Sequence, residues 1–202
     1  AGVNVAGGGG IGAGVAAGLG SVGVRSPLEG LVVKAQTRAM GVITHFATGL
    51  LWPTVPPSGS GGCLVPVGAY RRSVAWLLDL WTKELVGIIL AMPRLAAPQV
   101  KEAKEAIKDT STRGEELMRR AAPGGPGGPK ISAAEMKRCV PAREQATMLN
   151  EAMALSLEDF PALHTSGGFK VFSNQQLAAL VTALFEPSEI RAQFLRSLAS
   201  DD

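Results

Sequence analysis

The sequence predicts an all-α protein: several amphipathic helices joined by Pro/Gly spacers, preceded by a Gly-rich apolar segment that becomes helical in a membrane or a complex. Two observations carry this expectation. Apolar residues recur at steps of three and four over long windows, and proline and glycine cluster between those windows with no alternation of strand and helix patterns. With 202 residues, 46% hydrophobic and 18% charged, the chain buries a core as one ordinary domain or two small ones and is not a disordered segment.

The punctuation divides the chain into five parts. Residues 1–53 are a Gly-rich apolar segment plus a helix, 54–69 a linker, 70–121 amphipathic and charged helices, 122–131 a Pro/Gly linker, and 132–202 a C-terminal helical module.

Residues 1–24 carry no charged side chain and are dense in glycine from Gly7 to Gly23. In a helix, Gly10, Gly14 and Gly18 form one small-residue row and Gly8, Gly12, Ala16 and Gly20 another, so backbones approach closely, as in packed membrane helices. Each glycine costs about 1 kcal/mol relative to alanine in a helix, so water alone does not hold this segment helical. The other reading is an apolar arm with partial order. Leu28 to Trp52 reads as a helix that is polar in its first half and ends at Pro53, with His45 as a packing residue, and Thr54 to Gly62 cannot continue it.

The next helix runs from about Tyr70 to Met92 and stops at Pro93. Val74, Leu77, Leu78, Trp81, Leu85, Ile88, Ile89 and Met92 share one face, while Asp79, Lys83 and Glu84 fall elsewhere. Arg71, Arg72, Trp76 and Trp81 give its start a basic and aromatic edge of the kind that anchors a helix at a membrane interface; the alternative is a plain core helix. Pro98 then opens a polar helix, Gln99 to Ala122, since proline is tolerated in a first turn. Its seam, Val100, Ala103, Ile107, Thr110, Gly114, Leu117 and Ala121, is weak at Thr110 and Gly114. Acid-first pairs four apart, Asp109 with Arg113, Glu115 with Arg119 and Glu116 with Arg120, belong on its wet side.

After the spacer at 122–129, Ser132 and Glu135 predict a capping box for a helix reaching about Asp159, bent or restarted at Pro141. Met148, Leu149, Ala152, Met153 and Leu157 are its buried stripe. Ser173 and Gln176 predict a second box for a helix through Phe185, and Pro187 separates it from a last helix over Glu189 to Ala199. Leu177, Leu180, Val181, Leu184 and Phe185 face Ile190, Phe194, Leu195 and Leu198, and Leu177, Leu184, Phe185 and Phe194 are the candidate contacts to a partner.

Reactive chemistry is scarce. Cys63 and Cys139 stand 76 positions apart with no CxxC spacing and no nearby histidine, so zinc is not expected and two free thiols are favoured over a disulfide. Arg138 beside Cys139 favours a thiolate if that sulfur is exposed, but the residue's place on a helix stripe favours packing. No Gly-x-Ser-x-Gly elbow occurs, and Asp159, His164 and Ser166 read as turn formers. Gly7-x-Gly9-x-x-Gly12 matches a dinucleotide turn on paper, but Glu29 follows Ser26-Pro27 instead of ending a second strand. Gly8, Gly10, Gly12, Gly14, Gly18 and Gly23 followed by Arg25-Ser26-Pro27 resemble the first helix and polar loop of the rotary ATP synthase c subunit. That resemblance implies a membrane ring with a carboxylate in the second helix, where this chain has His45, and it covers about a fifth of the sequence.

Charge is unevenly placed. Through residue 72 the chain carries Arg25, Lys34, Arg38, Arg71 and Arg72 against Glu29, a balance of +4, and the other 15 basic and 16 acidic residues give −1. Scattered cations without interleaved aromatics suit a membrane surface or an anionic partner and not a nucleic-acid groove, so no specific nucleic acid is expected. The sequence therefore predicts a non-enzymatic structural or scaffolding subunit of a membrane-associated assembly, with other protein subunits as partners, lipid as a further contact, and no cofactor. The alternative is a virion coat or core protein with a Gly-rich arm; the third reading is a dinucleotide oxidoreductase.

Overall fold

The computed structural model describes residues 30–47, 67–120 and 131–200. The N-terminal glycine rows (Gly8, Gly10, Gly12, Gly14, Gly18), the Gly7 to Gly12 turn, Cys63, Ala121 and nearly all of both spacers lie outside the described residues. Eight helices account for the described architecture, with no strand among those residues: α1 Leu31–His45, α2 Val67–Leu90, α3 Ala97–Arg120, α4 Ala133–Cys139, α5 Ala142–Ala152, α6 Asp159–Thr165, α7 Asn174–Leu184 and α8 Glu189–Ser200. The protein is all-α, as its periodicity predicts.

Two apolar clusters organise the packing. The smaller joins Met40 and Ile43 of α1, Tyr70, Val74 and Leu78 of α2, Leu117 and Met118 of α3, and Met136 of α4. The larger takes the other end of α2 and α3, with Leu85, Ile89, Ala103 and Ile107, and continues through α5, α7 and α8. Trp81 packs against both. The larger cluster crosses the Pro/Gly spacer, so α2 and α3 share a core with the C-terminal helices, and the Leu95 amide donates to the Ala183 carbonyl at 2.8 Å.

Several local expectations meet a different outcome. The helix opening at Val67 already occupies the end of the expected linker, and it closes at Leu90, where Ala91 and Met92 finish the last turn before Pro93. Ser132 caps α4 by accepting from the Glu135 amide at 3.1 Å, but the Glu135 carboxylate goes to Arg71 at 2.6 Å. At Pro141 the helix restarts. There Asp79 of α2 accepts from the Ala142 amide at 2.8 Å, so another element supplies the acceptor that the free amides of a helix start lack.

The helix expected to reach Asp159 ends at Ala152, and Asp159 instead begins α6. Pro161 lies in the first turn of this new helix, where its missing N–H costs no helical hydrogen bond. The α6 end satisfies its carbonyls through a left-handed Gly167, φ 77°, with Gly167 and Gly168 amides donating to His164 and Leu163 at 2.9 and 2.8 Å. The Ser173/Gln176 capping box on α7 is complete in both directions. Phe160, fully buried, centres an aromatic cluster with Phe169, Phe185 and Phe194 at ring distances of 5.1, 5.5 and 6.1 Å.

The α3 seam is buried at Ala103, Ile107, Thr110 and Leu117, and α3 pairs Asp109 with Arg113 at 2.9 Å. Arg119, however, pairs with Glu116 one turn back at 2.5 Å, because Glu115 is taken by Arg143 of α5. Ile190 faces solvent instead of α7, and His45 is exposed at the C-terminal end of α1 instead of packed.

Candidate interaction surface on the second helix

An α-helix turns about 100° per residue, so residues four apart stack into a stripe and residues five apart diverge by about 140°. Arg72, Trp76 and Leu80 are such a stripe on the outer side of α2. Trp76 is 64% exposed and Leu80 45%, the two exposed large apolar side chains among the described residues of this helix. Trp81, five residues beyond Trp76, turns inward, where its indole N–H donates to the Thr110 hydroxyl at 3.4 Å. The four residues expected at an interface thus divide: Arg71, Arg72 and Trp76 line one groove between α2 and α4, and Trp81 belongs to the core.

Arg138 and Cys139 of α4 and Asp79 of α2 complete the groove. Its charges are only partly compensated. Arg71 is paired with Glu135, while its Nε is shielded from solvent without a hydrogen-bond partner. Asp79 is occupied by Lys83 at 2.8 Å and by the start of α5. Arg72 and Arg138 have no acidic partner among the described residues. The site therefore offers two uncommitted guanidinium groups beside an exposed indole, a set suited to an anionic surface with an apolar margin. Cys139 is half-buried and free. Sequence reasoning found Arg71, Arg72 and Trp76 but passed over Arg138 as a groove residue, since only the turn at Val140 and Pro141 brings α4 against α2.

The expected partner contacts also divide. Leu177 and Phe194 are 1% and 3% exposed inside the larger cluster, so they hold α7 to α8 and are not at the surface. Leu184 and Phe185 are half-buried and line an open groove beside the start of α3. Asp159, His164 and Ser166 do not assemble into a reacting set. Asp159 accepts from the Ser156 hydroxyl at 2.7 Å and its amide at 3.1 Å, Ser166 donates to the Leu163 carbonyl at 2.9 Å, and His164 meets the Phe194 ring edge-on at 5.9 Å.

Among the described residues no group of three or more His, Cys, Asp or Glu side chains is placed to hold a metal, and no helix is long and apolar enough to cross a membrane. No family model, no curated protein and no solved structure matches the chain.

Proposed function

We propose that the protein is a non-enzymatic structural subunit of a larger, membrane-associated assembly, and that the outer face of α2 is its contact with the anionic surface. The observation that supports this most is the exposed Trp76 and Leu80 beside Arg72 and Arg138, which have no acidic partner among the described residues. An indole is favoured at the headgroup level, and each basic residue near an anionic leaflet adds about 1 kcal/mol. With two uncommitted arginines and two apolar side chains the described face gives reversible, salt-sensitive adhesion. The charge-free residues 1–24 would add apolar surface to it.

Flotation of the full chain with vesicles tests the reading. Vesicles with a third phosphatidylserine should carry the protein upward, neutral phosphatidylcholine vesicles should carry far less, and Trp76→Ala with Arg72→Glu should reduce the anionic-vesicle fraction severalfold. Equal recovery with both lipids, or indifference to the double substitution, overturns it. Assembly of the purified chain into uniform lipid-free particles would favour a coat protein instead.

A further inference from the structure

A second surface, separate from the α2 face, carries an independent signal. Helix α3 reads as balanced in charge between residues 101 and 109, with Lys101, Lys104 and Lys108 against Glu102, Glu105 and Asp109. The fold separates the two signs. Glu102 accepts from the Gly30 amide at 3.0 Å, and Asp109 accepts from Gln36 and from Arg113, so both acids are held on the side facing α1. Lys101, Lys104 and Lys108 lie on the other side, where Glu105 is their one acidic neighbour along the groove, and none of the three makes an ion pair among the described residues.

These lysines edge a continuous groove. Its upper part has an apolar floor of Leu95, Val100, Met153, Leu155, Leu184 and Phe185; its lower part, sharing Lys104 and Glu105, runs over Ile107 toward Thr147 and Asn150 of α5. Lys101 to Lys108 spans about 10 Å of helix axis, roughly two turns of a docked helix. We propose that this groove binds an acidic amphipathic helix of a partner protein, its apolar stripe on the Leu95/Val100/Phe185 floor and its carboxylates on Lys101, Lys104 and Lys108. A helix laid in a groove reads such a site through anchors three and four apart, and charge complementarity sets its orientation. A flat lipid surface does not reach a concave floor between α3 and α7, and the groove has no exposed aromatic platform for stacked bases. The proposal stands whether or not α2 meets a membrane.

The probe is a panel of fluorescein-labelled 18-residue Leu/Glu helical peptides in three heptad registers, with Leu/Lys peptides of the same apolar stripe as controls. Anisotropy with the full chain should show saturable binding of at least one Leu/Glu peptide, at least tenfold tighter than its Leu/Lys counterpart. The variant Lys101→Glu/Lys104→Glu/Lys108→Glu, at two exposed positions and the half-buried Lys104, with its fold checked by circular dichroism, should lose that binding tenfold or more and gain affinity for the Leu/Lys peptide. A photoreactive group on the bound peptide should label residues of α3 or the segment around Met153. Comparable binding of both peptide classes, or acidic-peptide binding that survives the charge reversal, overturns the proposal. So does the absence of acidic-peptide binding when single-stranded RNA or anionic vesicles bind with the same lysine dependence. The α2 double substitution used in flotation should leave peptide binding unchanged, which separates failure of one surface from failure of the other.

Discussion

Leu78 of α2 rests on the bare backbone of Gly114 in α3: a β-carbon on Gly114 would stand 3.4 Å from Leu78 Cδ2 and 3.5 Å from Cδ1. This is where two long helices meet between the two apolar clusters, beside a cavity of about 30 Å³ lined in part by Leu78, Thr82, Ile107 and Gly114. The separation is ordinary van der Waals contact, so a single methyl group fits. Gly114→Ala should stabilise the protein by about 0.5–1 kcal/mol, because alanine removes the helix-propensity penalty of glycine. Gly114→Leu should destabilise by about 1–3 kcal/mol, since a branched side chain must displace Leu78. Urea denaturation of both variants checks the pair, and equal destabilisation by alanine and leucine would show that no room exists at this crossing.

The end of α6 makes a sharper demand on a glycine. A β-carbon on Gly168 would stand 2.6 Å from Leu163 Cγ and Cδ1 and 3.0 Å from the Leu163 carbonyl oxygen, a backbone atom that cannot step aside. Gly168→Ala should therefore cost about 1–3 kcal/mol, like other overpacking changes. Gly167→Ala has open space around it but sits at φ 77°, so it should cost about 1 kcal/mol through backbone conformation alone. Thermal unfolding should rank Gly168→Ala below Gly167→Ala, and the reverse order would place the strain in the dihedral instead of the contact.

Asp159 gives a pH signature at the start of the same helix. The Ser156 hydroxyl, and secondly the Ser156 amide, stabilise its charged form and hold its carboxyl below the ordinary range, with loss of hydration opposing them weakly. A depressed folded-state pKa contributes stability that is present above the unfolded pKa and is lost as pH falls through the folded value. Ser156→Ala should move the Asp159 titration upward part of the way to the ordinary range and flatten the acid-side slope of stability between the two values. Carbon-13 titration of the carboxyl reads the shift directly, and an unchanged midpoint would assign the effect elsewhere.

How much of this was legible depended on whether the cause was local. The Ser173/Gln176 box, the stop before Pro93 and the seam of α3 from Ala103 to Leu117 need only residues within a turn or two, and each stands where its pattern puts it. Gly114 looked like a flaw in that seam, because a period-counting argument has no access to Leu78 on another helix. The interface residues failed for a related reason. Trp76 and Trp81 are alike in type, and only the angle between them together with the position of Thr110 decides that one is outside and the other inside. The spacing of α3 already puts Lys101, Lys104 and Lys108 on one side and Glu102 and Asp109 on another, but which side is covered was illegible, since Glu102 and Asp109 meet Gly30 and Gln36, residues more than 70 positions away.

That long-range capture also predicts how α1 comes loose. Its N-cap is Gly30 in the left-handed region, φ 75°, with no side chain to accept an amide and no acid in the first turn. Glu102 of α3 supplies both missing features at once, accepting the Gly30 N–H with its two oxygens at 3.0 and 3.2 Å and placing a negative charge at the positive end of the helix dipole. Glu102→Ala should cost about 1 kcal/mol, the net worth of one part-buried hydrogen bond. Because α1 is held by this cap, the Gln36–Asp109 hydrogen bond and a short apolar row, Val32, Met40, Ile43 and Ala47, the loss should appear as local opening and not as global unfolding. Native-state hydrogen exchange should then show α1 amides, such as Lys34, exchanging roughly fivefold faster, with 1.4 kcal/mol corresponding to a factor of ten, while α7 amides keep their rates. Glu102→Gln, which keeps an acceptor but not the charge, should fall between. Uniform acceleration across α1 and α7 would mean that α1 opens only with the whole molecule, and the cap would then be part of the global stability.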